Sequence, residues 1–214
     1  VFGTYYKIIV VAPKYAFNEK KTNESIQLYL KNFDKIFSTY RDDSEIMKLN
    51  QADIGHPVQL DPKLVAIISL SKTLQNRLGP VWDPTIVPIS QKYGFKTTSL
   101  TKTLKVGLNY LSIINETQVK KLEHIALDLS SIAKGVAVDG LSSQLNEMNI
   151  VGSYVDIGGE IKTTGTKTGK KPWGIGIQSP SKPKALANVI YASNVAIATS
   201  GNYLNYNNID GQKV

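Results

Sequence analysis

Asp128-Leu-Ser-Ser-Ile-Ala-Lys-Gly-Val-Ala-Val-Asp139 and Asp156-Ile-Gly-Gly-Glu160 are two stretches in which a predicted strand meets a turn. In the first, the paired serines are good helix caps, and apolar residues follow them at helical spacing. Uncapped amides at a helix start attract anions. In the second, the paired glycines can adopt positive φ and let a ligand approach the backbone. Two such turns suggest a nucleotide-sized ligand, but an ordinary cap and a glycine bulge explain them equally well.

The sequence on either side of these stretches predicts a mixture of helices and strands. Apolar spacing and capping residues predict helices at residues 23–40, 45–50, 62–78, 115–122 and 130–148. Runs of β-branched and aromatic residues predict strands at residues 2–10, 125–129, 154–157, 159–164, 172–178, 188–192 and 196–199. A lysine-rich turn, residues 163–171, predicts a hairpin between the fourth and fifth of these strands. We therefore expect an α+β fold with mixed, largely antiparallel sheets flanked by helices.

Composition limits the classes of function. The 214 residues are 42% hydrophobic, enough for one large domain or two small ones. No stretch approaches the ~20 apolar residues that cross a bilayer. The sequence begins at Val1, which is compatible with the removal of a signal segment, a tether or a tag. The absence of cysteine excludes disulfides, zinc–thiolate sites and cysteine nucleophiles, and the histidines, His56 and His124, match no ligand or triad pattern.

The net charge of +8 comes mainly from scattered lysines, since Arg41 and Arg77 are the two arginines. Scattered lysines favour solubility rather than sequence-specific reading of DNA. Nucleic-acid binding would call for arginine-rich stripes with exposed aromatic residues, and the sequence has none. We therefore expect no nucleic-acid partner.

Six motifs together resemble one family. They are Phe2-Gly-Thr4, Ser38–Ser44 with Asn50, Asp83-Pro-Thr85, Asp128–Gly135 with Asp139, Asp156–Glu160 and Ala198–Tyr203. In their order and approximate spacing they resemble the ApbE family of flavin transferases, and the resemblance spans the whole chain. It implies an ApbE-like architecture, related to the T-fold. It also implies an enzyme that binds FAD and, with magnesium, transfers the FMN moiety to a threonine hydroxyl of a target protein, releasing AMP.

The same resemblance implies which residues bind the ligand. Planar rings are best held by aromatic and apolar faces, so aromatic and apolar residues of these motifs would line the flavin or adenine pocket. The residues that would contact FAD are Phe2, Tyr40, Val81, Trp82, Asp83, Ser130, Val136, Gly158, Gly159 and Ser200. The backbone carbonyl of Ala133 would be a magnesium ligand, because magnesium prefers hard oxygen donors.

The chain departs from the family pattern at its end. Related proteins continue past the equivalent of Val214 into a His-Ile-Ile-Asp-Pro segment and an Ala-Asp-containing helix that supplies magnesium ligands. We therefore expect residues 1–214 to form a single ApbE-like domain without the C-terminal part of the family's domain. The catalytic residue and the remaining metal ligands are expected after Val214.

Family members are commonly exported and tethered by a lipidated cysteine. The resemblance thus implies a periplasmic or extracytoplasmic location, with the membrane contacted only through such an anchor. Two alternatives stay open. One is a protein that binds FAD, or hydrolyses it to FMN and AMP, without modifying a partner. The other is a structural or interaction domain whose glycines serve only bulges and hairpins.

Overall fold

A computed structural model describes residues 3–13, 15, 17–95, 103–182, 185–201, 207–209 and 211–213. The elements, in order, are β1 (Tyr6–Val11), α1 (Glu19–Phe37), α2 (Glu45–Gln51), β2 (Pro57–Gln59), α3 (Pro62–Leu78), α4 (Val87–Lys92), β3 (Leu111–Asn115), β4 (Gln118–Lys121), α5 (Ser130–Glu147), β5 (Gly152–Ile157), β6 (Glu160–Thr164), β7 (Trp173–Gln178), β8 (Leu186–Ala192), β9 (Ala196–Ile197), β10 (Asn208–Ile209) and β11 (Gln212–Lys213). All the strand pairs that join these elements are antiparallel. In the described part of the chain, no helix is both long and apolar enough to cross a membrane.

The chain divides into two compact units. The first unit contains Gly3–Leu30 and Ile132–Val214, and the second contains Lys31–Ser131. The division falls inside α1 and after the first two residues of α5. The single domain expected for residues 1–214 stays a prediction.

A four-stranded sheet with the order β1-β5-β6-β9 forms the centre of the first unit. Its strand β5 is buried along its whole length. Tyr154 and Ile161 of this sheet form a core cluster with Trp173 and Ile175 of β7. The Trp173 side chain is 2% exposed, and its Nε1 donates a hydrogen bond to the Thr164 carbonyl at 3.2 Å. The tryptophan therefore anchors the β7–β8 ribbon to the sheet.

Helix α5 buries part of the predicted stripe. Helical spacing predicts a buried stripe of Ile132, Val136, Leu141, Leu145 and Met148. Of these, Leu141 and Leu145 are buried, whereas Ile132, Val136 and Met148 are only partly buried. The buried residues are Ala133, Ala137, Val138, Leu141, Ser142 and Leu145. Alanines let a helix backbone approach its neighbours closely, and a search for bulky apolar side chains overlooks them.

The ribbon of β7 and β8 corrects the predicted hairpin. β6 pairs with β5 and β9, whereas β7 pairs with β8, so the strands on either side of the lysine-rich turn are not partners. The alternation of Trp173, Ile175 and Ile177 with glycines predicts that one face of β7 is almost bare, and Gly174 and Gly176 are exposed. Side chains of β8 lie beside these glycines without burying them: a Cβ on Gly176 would lie 2.8 Å from Leu186 Cδ2, and one on Gly174 would lie 3.4 Å from Tyr191 Cε1.

The second unit combines a three-stranded sheet, in the order β2-β4-β3, with helices α2 and α3. Helix α3 begins as predicted, because the Asp61 side chain accepts a hydrogen bond from the Lys63 amide. The helix predicted at residues 115–122 is wrong. These residues lie in the β3–β4 hairpin, whose turn is fixed when Asn115 Oδ1 accepts a hydrogen bond from the Thr117 amide at 2.9 Å. An asparagine that bonds the backbone two residues later favours a turn over a helix.

Candidate functional site

The loop after α3, in the second unit, is organised around Asp83. Its Oδ2 accepts a hydrogen bond from Gln75 Nε2 at 2.6 Å. Its Oδ1 accepts two, from the Thr85 amide at 2.8 Å and from the Thr85 hydroxyl at 2.6 Å. Thr85 is fully buried, and its Oγ1 in turn accepts a hydrogen bond from the Gly107 amide at 2.7 Å. Both carboxylate oxygens of Asp83 are therefore engaged within the protein.

The same loop is bonded to the start of α5. The Pro84 carbonyl accepts a hydrogen bond from the Asp128 amide at 2.8 Å. Asp128 Oδ1 accepts one from the Ser130 amide at 2.8 Å. Trp82 Nε1 donates to Ser131 Oγ at 3.2 Å. These contacts place Trp82 beside the first turn of α5.

These bonds correct two expectations about the helix start. Ser130 and Ser131 are not the caps, because Asp128 supplies the side chain that accepts the first helical amide. The Ser130 amide is therefore capped and does not belong to the uncapped amides that the sequence predicts as an anion site. The other amides of the first turn of α5 have no carbonyl acceptor within the helix, because no helical residue lies four positions before them.

In the first unit, the paired glycines form the turn between β5 and β6. Their φ values are +60° at Gly158 and +95° at Gly159, as predicted. The Gly158 amide donates to the Tyr5 carbonyl and the Gly159 amide to Asp156 Oδ1, each at 3.0 Å. A Cβ on Gly158 would lie 2.8 Å from the Thr4 side chain, whereas a Cβ on Gly159 would meet nothing within 4 Å. The open approach predicted for this turn thus exists at Gly159.

Two ion pairs join the part of α5 that lies in the first unit to the strand after the glycine turn. Lys134 Nζ lies 2.9 Å from Glu160 Oε2. Lys162 Nζ lies 2.7 Å from Asp139 Oδ1. The Lys134 and Glu160 side chains are 27% and 21% exposed, so their attraction is screened less than that of a surface pair. Within the first unit, Lys134 and Asp139 of α5 are therefore held against the strand that follows the glycine turn.

Burial raises the pKa of Asp156, while the hydrogen bond from the Gly159 amide and the charge of Lys7 oppose that rise. A carboxyl group with a raised folded-state pKa contributes stability below its unfolded pKa, and that contribution is lost as the pH rises through the folded value. Asp156→Asn keeps an oxygen for the Gly159 amide but carries no charge to bury. We therefore expect the variant to be more stable than the parent at pH 7.

Thermal unfolding at a series of pH values measures this effect. The difference in melting temperature between Asp156→Asn and the parent should shrink as the pH falls through the raised pKa of Asp156, and it should be smallest below about 4, where an ordinary carboxyl group is protonated. A variant less stable than its parent at pH 7 would show that the charge of Asp156 is needed in the fold.

The remaining predicted contact residues differ in exposure. Tyr40 is 69% and Val81 is 84% exposed. Ser130 and Ser200 are also exposed, whereas Trp82, Asp83 and Val136 are partly buried. Phe2 lies outside the described residues. The roles of all these residues in binding FAD stay predictions.

The magnesium site that the family resemblance implies stays a prediction. Among them, no group of three or more His, Cys, Asp or Glu side chains is arranged to hold a metal. The predicted ligand, the carbonyl of Ala133, lies within α5, where it accepts a hydrogen bond from the amide four residues later. Magnesium demands near-octahedral oxygen coordination, which one helix carbonyl does not supply.

Comparison with known proteins decides the family. Residues 2–214 match the profile of the ApbE family. The chain belongs to the ApbE family. Two curated relatives of this ApbE-family chain are named FAD:protein FMN transferase. The protein from Vibrio cholerae serotype O1 is 29% identical over 98% of this chain, and the one from Haemophilus influenzae is 30% identical over 91%. The chain spans 66% and 61% of the lengths of these two relatives.

Solved structures show the same fold. The flavin transferase ApbE from Vibrio cholerae superimposes with a TM-score of 0.82 and 28% identity, over 94% of this chain and 69% of that one. The ApbE protein from Thermotoga maritima gives a TM-score of 0.84 and 25% identity, over 99% of this chain and 72% of that one. The α+β, ApbE-like architecture expected from the sequence is thereby confirmed.

Proposed function

We propose that this protein is an FAD:protein FMN transferase that moves the FMN moiety of FAD to a threonine hydroxyl of a target protein and releases AMP. The observation that carries the proposal is the match of residues 2–214 to the ApbE family, whose curated relatives bear that name. Trp82, which lies beside the start of α5, and the open turn at Gly159 support it, because the family resemblance places both among the residues that contact FAD.

The proposed reaction is a substitution at phosphorus. The threonine Oγ attacks the pyrophosphate phosphorus on the FMN side. A new P–O bond to threonine forms, the P–O bond to the AMP phosphate breaks, and AMP leaves with the electron pair. The hydroxyl proton passes to a base, which is proposed to lie after Val214. Positioning and electrostatic stabilisation supply most of the rate in phosphoryl-type transfers.

The residues of this chain are proposed to bind and orient FAD. Tyr40 and Val81 leave aromatic and apolar surface uncovered, which suits a flat ring system. Trp82 is oriented by its hydrogen bond to Ser131 and would form one wall of the pocket. In the first unit, Gly159 would let the ligand approach the backbone.

The proposal also includes a bound magnesium ion and a location outside the cytoplasm. When bound, magnesium would neutralise charge on the pyrophosphate, with ligands supplied largely outside the described residues. The protein is proposed to act outside the cytoplasm, in the periplasm or at the outer face of a membrane, held by an N-terminal lipid anchor. Family resemblance is the support for both statements.

Intact-mass analysis tests the proposal. A target protein with an acceptor threonine is incubated with FAD, magnesium and a form of the protein that continues beyond Val214, in parallel with residues 1–214 alone. We expect the target to gain the mass of FMN with the longer form and little gain with the shorter one. A target whose acceptor threonine is replaced by valine should gain nothing.

Other outcomes identify the alternatives. Release of FMN and AMP without a modified target would support an FAD hydrolase. Retained FAD with neither product would support a flavin-binding protein. Failure of both forms to bind any flavin would support a structural or interaction domain.

A further inference from the structure

Asn50, at the end of α2, bonds a distant segment of the second unit. Its Nδ2 donates to the Leu127 carbonyl at 2.9 Å, and its Oδ1 accepts from the Leu127 amide at 2.8 Å. Asn50 is 5% exposed and Leu127 is 1% exposed. One buried side chain thus satisfies both backbone groups of a residue 77 positions away, in the way that a neighbouring strand would.

A buried lysine holds Asn50 from the other side. Lys121 is 3% exposed, and its Nζ donates to the Asn50 backbone carbonyl at 2.7 Å. Burying an ammonium group is costly unless it is hydrogen-bonded. The backbone and the side chain of Asn50 are therefore both fixed by buried polar contacts.

The segment that Asn50 holds leads directly to the candidate site. Residues 125–129 belong to no strand of the structure, although the sequence predicts one there. Asp128, the residue after Leu127, donates to the Pro84 carbonyl and accepts from the Ser130 amide. Asn50 therefore determines where Asp128 lies, and Asp128 determines the position of the first turn of α5.

We propose that Asn50 is a positioning residue for the FAD pyrophosphate. It does not touch the ligand, but it holds the Leu127–Ser131 turn so that the amides and side chains of that turn meet the phosphates. This inference rests on the proposed function and names a residue on which binding depends. It predicts that loss of the Asn50 contacts weakens binding of a phosphate-bearing flavin more than binding of a flavin without phosphate.

Asn50→Asp is the most direct test. Aspartate has nearly the same shape and still accepts from the Leu127 amide, but it cannot donate to the Leu127 carbonyl. Dissociation constants for FAD and for riboflavin, which lacks phosphate, are measured by titrating each flavin with the protein and recording the flavin fluorescence. We expect FAD affinity to fall at least about tenfold while riboflavin affinity changes little, because an unsatisfied buried carbonyl shifts its segment.

Leu49→Ala is the matched control. Leu49 precedes Asn50 in α2 and is fully buried, so its truncation destabilises the same helix by leaving a cavity. It does not remove the Asn50 contacts. We expect Leu49→Ala to lower the melting temperature while leaving the ratio of FAD to riboflavin affinity unchanged.

A second variant and a second readout cover a failure of Asn50→Asp to fold. Lys121→Met removes the donor to the Asn50 carbonyl and keeps an apolar chain of similar length. It should shift the affinity ratio in the same direction, by a smaller factor. In the ligand-free protein, hydrogen exchange of the Ser130 amide should be faster in either variant than in the parent.

Three results would overturn the inference. These are unchanged FAD affinity in a folded Asn50→Asp variant, equal loss of FAD and riboflavin affinity, or unchanged exchange at Ser130. If the parent protein binds no FAD, the proposed function fails and this inference fails with it. If the parent binds FAD and the variants bind it equally well, the inference alone is wrong.

Discussion

Gly165→Ala is expected to reduce the free energy of unfolding of the first unit by at least about 3 kcal/mol, or to prevent that unit from folding. Gly165 follows β6 at φ +56°. A Cβ there would overlap the Val151 carbonyl oxygen and would lie 3.0 Å from Gly152 Cα. The atoms in the way belong to the backbone, so no rotamer change relieves the clash. The Gly165 amide also donates to Asn194 Oδ1 at 2.8 Å, which restricts movement of the turn.

Each unit carries one tryptophan, and this gives a direct measurement. Trp173 lies in the first unit and Trp82 in the second. In a Trp82→Phe background, urea unfolding followed by fluorescence reports the first unit. Gly169→Ala is the matched control, because Gly169 has φ +76° but nothing within 4 Å of a built Cβ, so only about 1 kcal/mol of backbone strain is expected. Equal effects of the two substitutions would contradict the steric argument.

Local chemistry explains which elements the sequence predicts well. Helix α3 is correct at both ends because an aspartate cap, a proline in the first turn and a terminating glycine all act within a few residues. The β3–β4 hairpin was missed although a local signal was present. In Asn115-Glu-Thr117 the asparagine side chain bonds the backbone two residues later, and this is typical of a turn.

Pairing between distant residues explains most of the other errors. The lysine-rich turn joins β6 and β7, yet each strand pairs elsewhere, because strand partners depend on packing across the unit. Residues 125–129 have the composition of a strand, but they are held by the Asn50 side chain. Neither the pairing of β6 and β7 nor the contact between residues 125–129 and Asn50 can be found from spacing along the sequence alone.

In the candidate site, too, contacts between nearby residues can be predicted from the sequence, whereas contacts between distant elements cannot. The bond from Thr85 to Asp83 could have been predicted, since Asp-Pro-Thr is a favourable sequence for an aspartate that bonds the residue two positions on. The bond from Gln75 and the Lys134–Glu160 ion pair could not, because each depends on how a helix packs against another element. The motifs locate the site, whereas the structure shows what supports it.

Asp83→Ala is expected to lower the free energy of unfolding of the second unit by at least about 3 kcal/mol, because three hydrogen bonds to a charged group are lost. It also leaves the fully buried Thr85 without its acceptor. We expect FAD affinity to fall at least about tenfold with it, since the loop that carries Trp82 and bonds Asp128 loses its support. Trp82 fluorescence in a Trp173→Phe background measures unfolding, and flavin fluorescence measures binding.

Asp83→Asn separates support of the loop from direct contact with the ligand. Its amide oxygen can still accept from Thr85, and its NH₂ group can donate to Gln75 if the Gln75 amide turns over and presents its oxygen. A residue that only holds the loop should therefore tolerate asparagine, with stability and FAD affinity close to those of the parent. A residue whose charge contacts the ligand should not tolerate asparagine. Because both carboxylate oxygens of Asp83 are already engaged within the protein, we expect asparagine to restore most of what alanine loses, and an equal loss in both variants would assign Asp83 to the ligand instead.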